Sequence, residues 1–168
     1  MNIRGRLTAL ALAATLAAFA PAAGALQAGE AAPPFDLPGD QGKLRLAELG
    51  GKLVLLDFWA SWCAPCRQSF PWLNQMQSRY GGAGLQVVAI NVDEKRDDAL
   101  AFIKRYPAAF KVLFDGAGNS ARDYAIKAMP SSVLIGRDGR VVFLHTGFRE
   151  ADKSGLEAQI RRSLEAGS

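Results

Sequence analysis

Apolar and polar positions along the chain separate buried strands from amphipathic helices. Two nearly continuous apolar runs, at 52–59 and 85–92, have the length and composition of strands that are buried on both faces of a sheet. Apolar residues at helical spacing follow each run, which predicts helices over about 65–80 and 97–106. This β-α-β-α order is typical of a sheet with parallel strands.

The C-terminal part of the chain has a different pattern. A predicted strand at 111–114 and a predicted short helix at 119–126 lead to two apolar runs, 132–136 and 140–145, which Asp138-Gly139 joins as a hairpin. A last amphipathic helix is expected over about 152–165. Near the N-terminus, two short strand pieces at 35–37 and 43–46 flank a turn. These patterns predict an α/β fold with a mixed β-sheet and a short N-terminal β extension.

Residues 1–25 have the pattern of a secretory signal peptide. Two arginines precede an apolar run over 7–20, and small residues at 23–25 offer a cleavage site. No charged residue occurs over 7–29, which is long enough to span a bilayer, so an uncleaved inner-membrane anchor is the alternative. Both interpretations place the domain at 26–168 outside the cytoplasm, and we expect it in the periplasm.

Composition narrows the class of protein further. With 168 residues, 49% hydrophobic and 21% charged, the chain fits one globular domain and excludes a disordered or multi-spanning protein. The net charge of +4 is too small an excess to indicate nucleic-acid binding. Two cysteines are too few for a fold held together by disulfides. Those two cysteines carry the candidate chemistry.

Cys63 and Cys66 form a CxxC motif between the predicted strand at 52–59 and the predicted helix at about 65–80. Cysteines at this spacing can form a disulfide, and the free N–H groups at a helix N-terminus favour a thiolate at Cys63. We therefore expect a Cys63 pKa below the usual value of about 8.5. Cys63 would attack a partner disulfide and Cys66 would resolve the mixed disulfide. A structural disulfide or a metal site is the alternative, although His145 is the single histidine.

The segment from Asp57 to Cys66 resembles the active-site segment of the thioredoxin superfamily. Pro71 matches its helix-kinking proline, and 129–132 (Met-Pro-Ser-Ser) matches the motif with a cis-proline that faces the disulfide. The resemblance covers about 32–165 and is strongest to exported TlpA/ResA-like thiol-disulfide oxidoreductases. It implies a thioredoxin fold, with a central sheet flanked by helices on both faces, and no cofactor beyond the redox-active disulfide.

The same resemblance suggests which residues meet a substrate. Pro130 would lie beside the cysteine pair, where the backbone of Met129 can pair with an extended substrate strand. An ordinary trans loop proline is the alternative. Trp62 would form a partly exposed flat surface beside Cys63, with a core aromatic as the alternative.

Two acidic residues are candidates for the proton acceptor. Asp57 interrupts an apolar strand, and a buried carboxylate there would have a raised pKa and could take the proton of Cys66. It also matches the buried acid of cytoplasmic thioredoxins. Glu94 matches an acid that ResA-like proteins place near the active site, although the neighbouring Asp93 complicates that match. Each could instead be a solvated surface acid.

The sequence favours a protein that reduces the disulfides of its partners over one that forms them. The Ala64-Pro65 dipeptide contains no histidine to stabilise the thiolate, and the chain between Asn91 and Pro130 is too short for the helical insertion of oxidising members. A reductase outside the cytoplasm implies a membrane thiol-reducing donor. The resemblance suggests cysteines of apocytochrome c or of copper-site proteins as substrates, although Ser131 departs from the acid typical of dedicated cytochrome c enzymes. A disulfide-forming oxidant and a copper carrier using the cysteine pair, with or without His145, are the alternatives.

Overall fold

The structure, a computed structural model, describes residues 26–166, so the predicted signal peptide lies outside the described residues. The elements, in chain order, are β1 (Asp36–Leu37), β2 (Leu44–Arg45), β3 (Leu53–Trp59), α1 (Cys66–Tyr80), β4 (Leu85–Asn91), α2 (Arg96–Arg105), β5 (Lys111–Phe114), α3 (Asn119–Asp123), β6 (Ser131–Ile135), β7 (Val141–Thr146) and α4 (Lys153–Ala166). Single turns of 3-10 helix occupy 46–49, 81–83 and 150–152.

Five strands form a mixed central sheet in the order β5-β4-β3-β6-β7. The central strand, β3, is parallel to β4 and antiparallel to β6. All seven of its side chains are buried, which accounts for the almost unbroken apolar run at this position. The predicted α/β fold with a mixed sheet is confirmed, and β1 and β2 form the predicted N-terminal extension as a separate antiparallel pair.

Each face of the sheet has its own hydrophobic core. Because side chains alternate along a strand, Leu55 and Trp59 of β3 point to one face and Leu56 and Phe58 to the other. The first face packs against apolar residues of α1, α2 and α4, and both cysteines belong to this core. The second face is covered by the N-terminal extension and by Tyr124, which follows α3. Ala121 of α3 also packs on this second face, so helices flank the sheet on both faces, as the resemblance implies.

Helix α1 lies on the first face and supports the cysteine motif. Phe70 is fully buried and makes edge-on contacts with Trp59, Phe102 and Phe110, with ring centroids 4.8 to 5.3 Å apart. Pro71 lies inside this helix, as the sequence predicts. Aromatic packing of this kind fixes the helix against β3 and so fixes the position of its N-terminus.

Helix boundaries differ from the predictions by a few residues. The helix predicted over 119–126 ends at Asp123, because Ala125 adopts a positive φ of 53°, a left-handed conformation that ends a helix. Helix α1 begins at Cys66 rather than at Pro65, so Cys63 lies before the helix and not in its first turn. Within residues 26–166, no helix combines the length and the apolar character needed to cross a bilayer.

Candidate active site

The two cysteines lie just beyond the carboxyl end of β3. The chain turns at Ala60, whose carbonyl accepts a hydrogen bond from the N–H of Cys63 over 3.1 Å. Cys63 and Cys66 form a disulfide, and the Sγ of Cys63 accepts a hydrogen bond from the N–H of Cys66 over 3.2 Å. That N–H belongs to the first turn of α1, which has no intrahelical acceptor for it. The helix N-terminus therefore contacts the sulfur that the sequence predicts as the nucleophile.

Burial differs sharply between the disulfide and its surroundings. Cys63 exposes 3% of its surface and Cys66 none, whereas Trp62 exposes 68%. The structure thus places a large flat apolar side chain in solvent next to a nearly covered disulfide. A core position for Trp62 is therefore excluded.

Asp57 is the buried acid of the site. It lies in the middle of β3, exposes 1% of its surface and shares a face of the sheet with Trp59 and the cysteine-containing core. The hydroxyl of Ser132 on β6 donates a hydrogen bond to Oδ2 over 2.8 Å, and no donor among residues 26–166 reaches Oδ1. Burial raises the pKa of Asp57 to about 7, against the opposing effect of the Ser132 hydrogen bond. The solvated alternative for Asp57 is excluded.

Met129 and Pro130 lie at the same end of the sheet as the cysteines. The peptide bond between them is cis, and β6 begins immediately afterwards, with Ser131 opposite Phe58 of β3. The carbonyl of buried Pro130 accepts a hydrogen bond from the N–H of Gly147 over 2.8 Å. Met129 is half-buried and packs against both cores. The trans alternative for Pro130 is therefore excluded in this structure.

Of the two acids that follow β4, the structure buries Asp93 and not the predicted candidate Glu94. Glu94 was the predicted candidate, but its side chain lies on the surface. Its neighbour Asp93 is buried and accepts hydrogen bonds from both the N–H and the hydroxyl of Ser61. The chain leaves β4 so that one of the two adjacent side chains is buried and the other is exposed. Asp93, and not Glu94, contacts the active-site segment.

His145 lies on the edge strand β7, opposite Ser132. Its Nε2 is 3.5 Å from a carboxylate oxygen of Asp152. In the part of the chain that the structure describes, no group of three or more histidine, cysteine or acidic side chains is arranged to hold a metal ion.

Two residues of the site were missed from the sequence. Ser132 contacts Asp57 because the register of β3 and β6 places them directly opposite each other. Asp93 contacts Ser61 across 32 positions of sequence. Ser132, the last residue of the Met-Pro-Ser-Ser motif, was a signal for the first contact, but the strand register was needed to identify its partner.

A disulfide at a helix N-terminus, with a cis-proline at the same end of a central mixed sheet, is characteristic of thiol-disulfide oxidoreductases of the thioredoxin fold. The chain belongs to the Redoxin family, whose model matches residues 27–160. Among its relatives are the thiol-disulfide oxidoreductases ResA of Bacillus cereus and Bacillus subtilis. The first is 33% identical over 138 residues, 82% of this chain and 79% of the relative. The second is 35% identical over 71% of this chain and 67% of the relative.

Solved structures give the same result. A Chlorobium tepidum protein described as a thiol:disulfide interchange protein DsbE is 53% identical and superposes with a TM-score of 0.82. The match covers 83% of this chain and 99% of that protein. A second Chlorobium tepidum thiol:disulfide interchange protein of the thioredoxin family is 26% identical, with a TM-score of 0.70 over 80% of this chain. The predicted membership of the TlpA/ResA-like thioredoxins is confirmed.

Proposed function

We propose that this protein is an exported reductase of protein disulfides. The observation that carries the proposal is a cysteine pair at a helix N-terminus, on the same face of the sheet as Asp57, a buried carboxyl group with one unbonded oxygen. A helix N-terminus supports the thiolate that attacks, and a buried carboxyl group that titrates near neutral pH supports the proton transfer that must follow.

The reaction takes place in two exchange steps. The Cys63 thiolate attacks one sulfur of a substrate disulfide, forming a mixed disulfide and releasing the other sulfur as a thiolate, which solvent protonates. The Cys66 thiol then loses its proton to the Asp57 carboxylate and attacks the Sγ of Cys63. The second substrate sulfur leaves as a thiolate. Two electrons have passed to the substrate, and the protein is left with the Cys63–Cys66 disulfide.

The surface around the disulfide supports recognition of an extended protein segment. The exposed indole of Trp62 offers an apolar contact on one side of Cys63. The Met129–Pro130 bond directly precedes β6, the strand that pairs with β3, and the backbone of Met129 is the proposed partner for a substrate strand.

Three further features favour reduction outside the cytoplasm. The Ala64-Pro65 dipeptide offers no charged group to stabilise the Cys63 thiolate. Between Asn91 and Pro130 the chain forms only α2, β5 and α3, with no added helical domain. The N-terminal 25 residues have the pattern of a secretory signal. The proposed location is the periplasm, the proposed electron donor is a membrane thiol reductant, and the proposed substrates are cysteine pairs of apocytochrome c or of copper-site proteins.

The reduction potential of the Cys63–Cys66 pair tests the direction. We expect a value near that of thioredoxin, about −270 mV, whereas about −120 mV would identify an oxidant. Trapping tests the order of attack. Cys66→Ser should accumulate mixed disulfides with its substrate proteins, and Cys63→Ser is the matched control that should trap none. Equal trapping by the two variants would contradict the assigned nucleophile.

A further inference from the structure

Asp93 holds the segment that leads into the nucleophile. Its carboxylate is buried, with 6% exposure, and accepts the N–H of Ser61 at Oδ2 over 2.9 Å. The hydroxyl of Ser61 donates to Oδ1 over 3.1 Å, and the side-chain amide of Asn91 donates to Oδ2 over 2.8 Å. Three donors from two chain segments therefore converge on one carboxylate.

The carboxylate is itself fixed by the sheet. Asn91 is the last residue of β4 and lies opposite Trp59 in the parallel register. The N–H of Val92 donates to the carbonyl of Trp59 over 3.0 Å, and the N–H of Asp93 donates to the Oδ1 of Asn91 over 3.1 Å. Contact between β3 and β4 thus continues past their ends, first through the backbone and then through the side chain of Asp93.

The contact between Asp93 and Ser61 lies directly before Trp62 and Cys63, in a part of the chain that few other contacts within residues 26–166 hold in place. Trp62 follows Ser61 directly and extends into solvent, so packing around its ring does little to fix its position. Cys63, one residue further, is nearly covered, so a substrate sulfur reaches it only along a restricted approach. A displacement of about 1 Å at a reacting group can cost on the order of a hundredfold in rate.

We propose that Asp93 is a positioning residue, which fixes Ser61 and thereby aligns Trp62 and Cys63 for attack on protein disulfides. The inference rests on the proposed role of Trp62 in docking. Asp93 touches no reacting atom, and its effect passes through the backbone of residues 60–62.

An amide can replace the carboxylate without losing the geometry. In Asp93→Asn, the amide oxygen can take the Oδ2 position and still accept hydrogen bonds from the N–H of Ser61 and the side chain of Asn91. The amide nitrogen then takes the Oδ1 position and donates a hydrogen bond to the Ser61 hydroxyl, which can also act as an acceptor. Asp93→Ala removes all three contacts. The pair of variants therefore separates the geometry of the contact from its charge.

The chain offers a matched control at Asp115. This buried carboxylate also accepts the N–H and the hydroxyl of a serine, Ser120, at the start of α3. Asp115→Ala removes the same kind of contact from a loop without cysteines. It should lower stability to unfolding without changing substrate preference.

The experiment compares turnover with insulin disulfides and with hydroxyethyl disulfide, while excess dithiothreitol returns the Cys63–Cys66 disulfide to the dithiol and its direct reduction of each substrate is subtracted. In Asp93→Ala, the ratio of kcat/KM for insulin to kcat/KM for the small disulfide should fall at least about tenfold, mainly through KM. Asp93→Asn should restore most of this ratio, and Asp115→Ala should keep the ratio of the original protein.

Distinct results overturn the inference. If both kcat/KM values of Asp93→Ala equal those of the original protein, which itself reduces insulin, the positioning role is refuted. Equal falls for the two substrates refute the alignment of Trp62, because a misaligned Cys63 alone would slow both reactions alike. An equal loss in Asp93→Asn and Asp93→Ala shows that charge, and not geometry, is what matters. Failure of the proposed function gives a different result, because a protein that does not reduce insulin at all while reducing the small disulfide has no docking surface for protein disulfides. If Asp93→Ala does not fold, Ser61→Ala removes one of the contacts and should show a smaller fall in the same ratio.

Discussion

Asp57 makes the stability of this protein depend on pH in a direction opposite to that of most surface acids. Its pKa rises from an ordinary value of 3.8 to about 7 in the folded protein, chiefly because burial removes water from the carboxylate. The folded state therefore binds the proton more tightly than the unfolded state does. Asp57 therefore does not lower the free energy of unfolding below about pH 4. Its destabilising effect grows as the pH rises and reaches its full size above about pH 7.

The structure gives the size of this effect. The two pKa values differ by about 3 pH units, and each unit corresponds to about 1.4 kcal/mol, so ionised Asp57 costs up to about 4 kcal/mol of unfolding free energy. Asp57→Asn has nearly the shape of the protonated acid and keeps an acceptor for the Ser132 hydroxyl, but it never ionises. The variant should match the original protein near pH 4 and exceed its stability by up to about 4 kcal/mol at pH 8.

Urea unfolding of the disulfide-intact protein, followed by tryptophan fluorescence between pH 4 and pH 8, measures this difference. Asp138→Asn is the control, because it removes the charge of an exposed acid in the turn between β6 and β7 and keeps an acceptor for the N–H of Arg140. Because Asp138 is exposed, this control measures what an Asp→Asn change does to unfolding in the absence of burial. A stability difference for Asp57→Asn that stays constant with pH would refute the argument that burial of this carboxylate dominates its pKa.

Two further predictions follow from neighbouring contacts. Ser132→Ala removes the hydrogen bond that favours the carboxylate, so the pKa of Asp57 should rise above about 7. The pH at which the Cys66 thiol becomes reactive in resolution should rise with it, and a fall in that pH would contradict the assignment. Phe70→Ala empties a fully buried site between three aromatic rings and should cost about 3–5 kcal/mol in urea unfolding. A loss under about 1 kcal/mol would show that the surrounding rings collapse into the space.

The elements that carry the cysteines were predictable because local patterns specify them. The apolar run of β3 requires burial on both faces, and the periodic spacing of Phe70 and its neighbours requires a helix packed on one side. Burial of Asp57 followed from its place inside that run. Such features can be predicted without knowing which distant residues they contact, because the residues close by in the sequence determine them.

The contacts of the acids could not be predicted in the same way. Asp57 meets Ser132 only because β6 pairs with β3 in one register, and a slip of one residue would turn that serine to the other face. The choice between Asp93 and Glu94 depends on how the chain leaves β4. The family resemblance favours Glu94, but the residues themselves are two adjacent acids with nothing to distinguish them. The structure distinguishes the two acids, because the side chain of Asp93 contacts Ser61 and that of Glu94 is exposed to solvent.

The number of donors around each buried carboxyl group accounts for the different roles that we propose for Asp57 and Asp93. Asp93 accepts hydrogen bonds from three donors, so its oxygens are occupied in holding the loop before Cys63. Asp57 accepts one hydrogen bond, and its other oxygen has no donor among residues 26–166. A carboxyl group in apolar surroundings with a free oxygen can exchange a proton near neutral pH, which is what resolution by Cys66 requires. Adding a donor to Asp57 would therefore lower its pKa and weaken it as a base, whereas removing donors from Asp93 would release the loop.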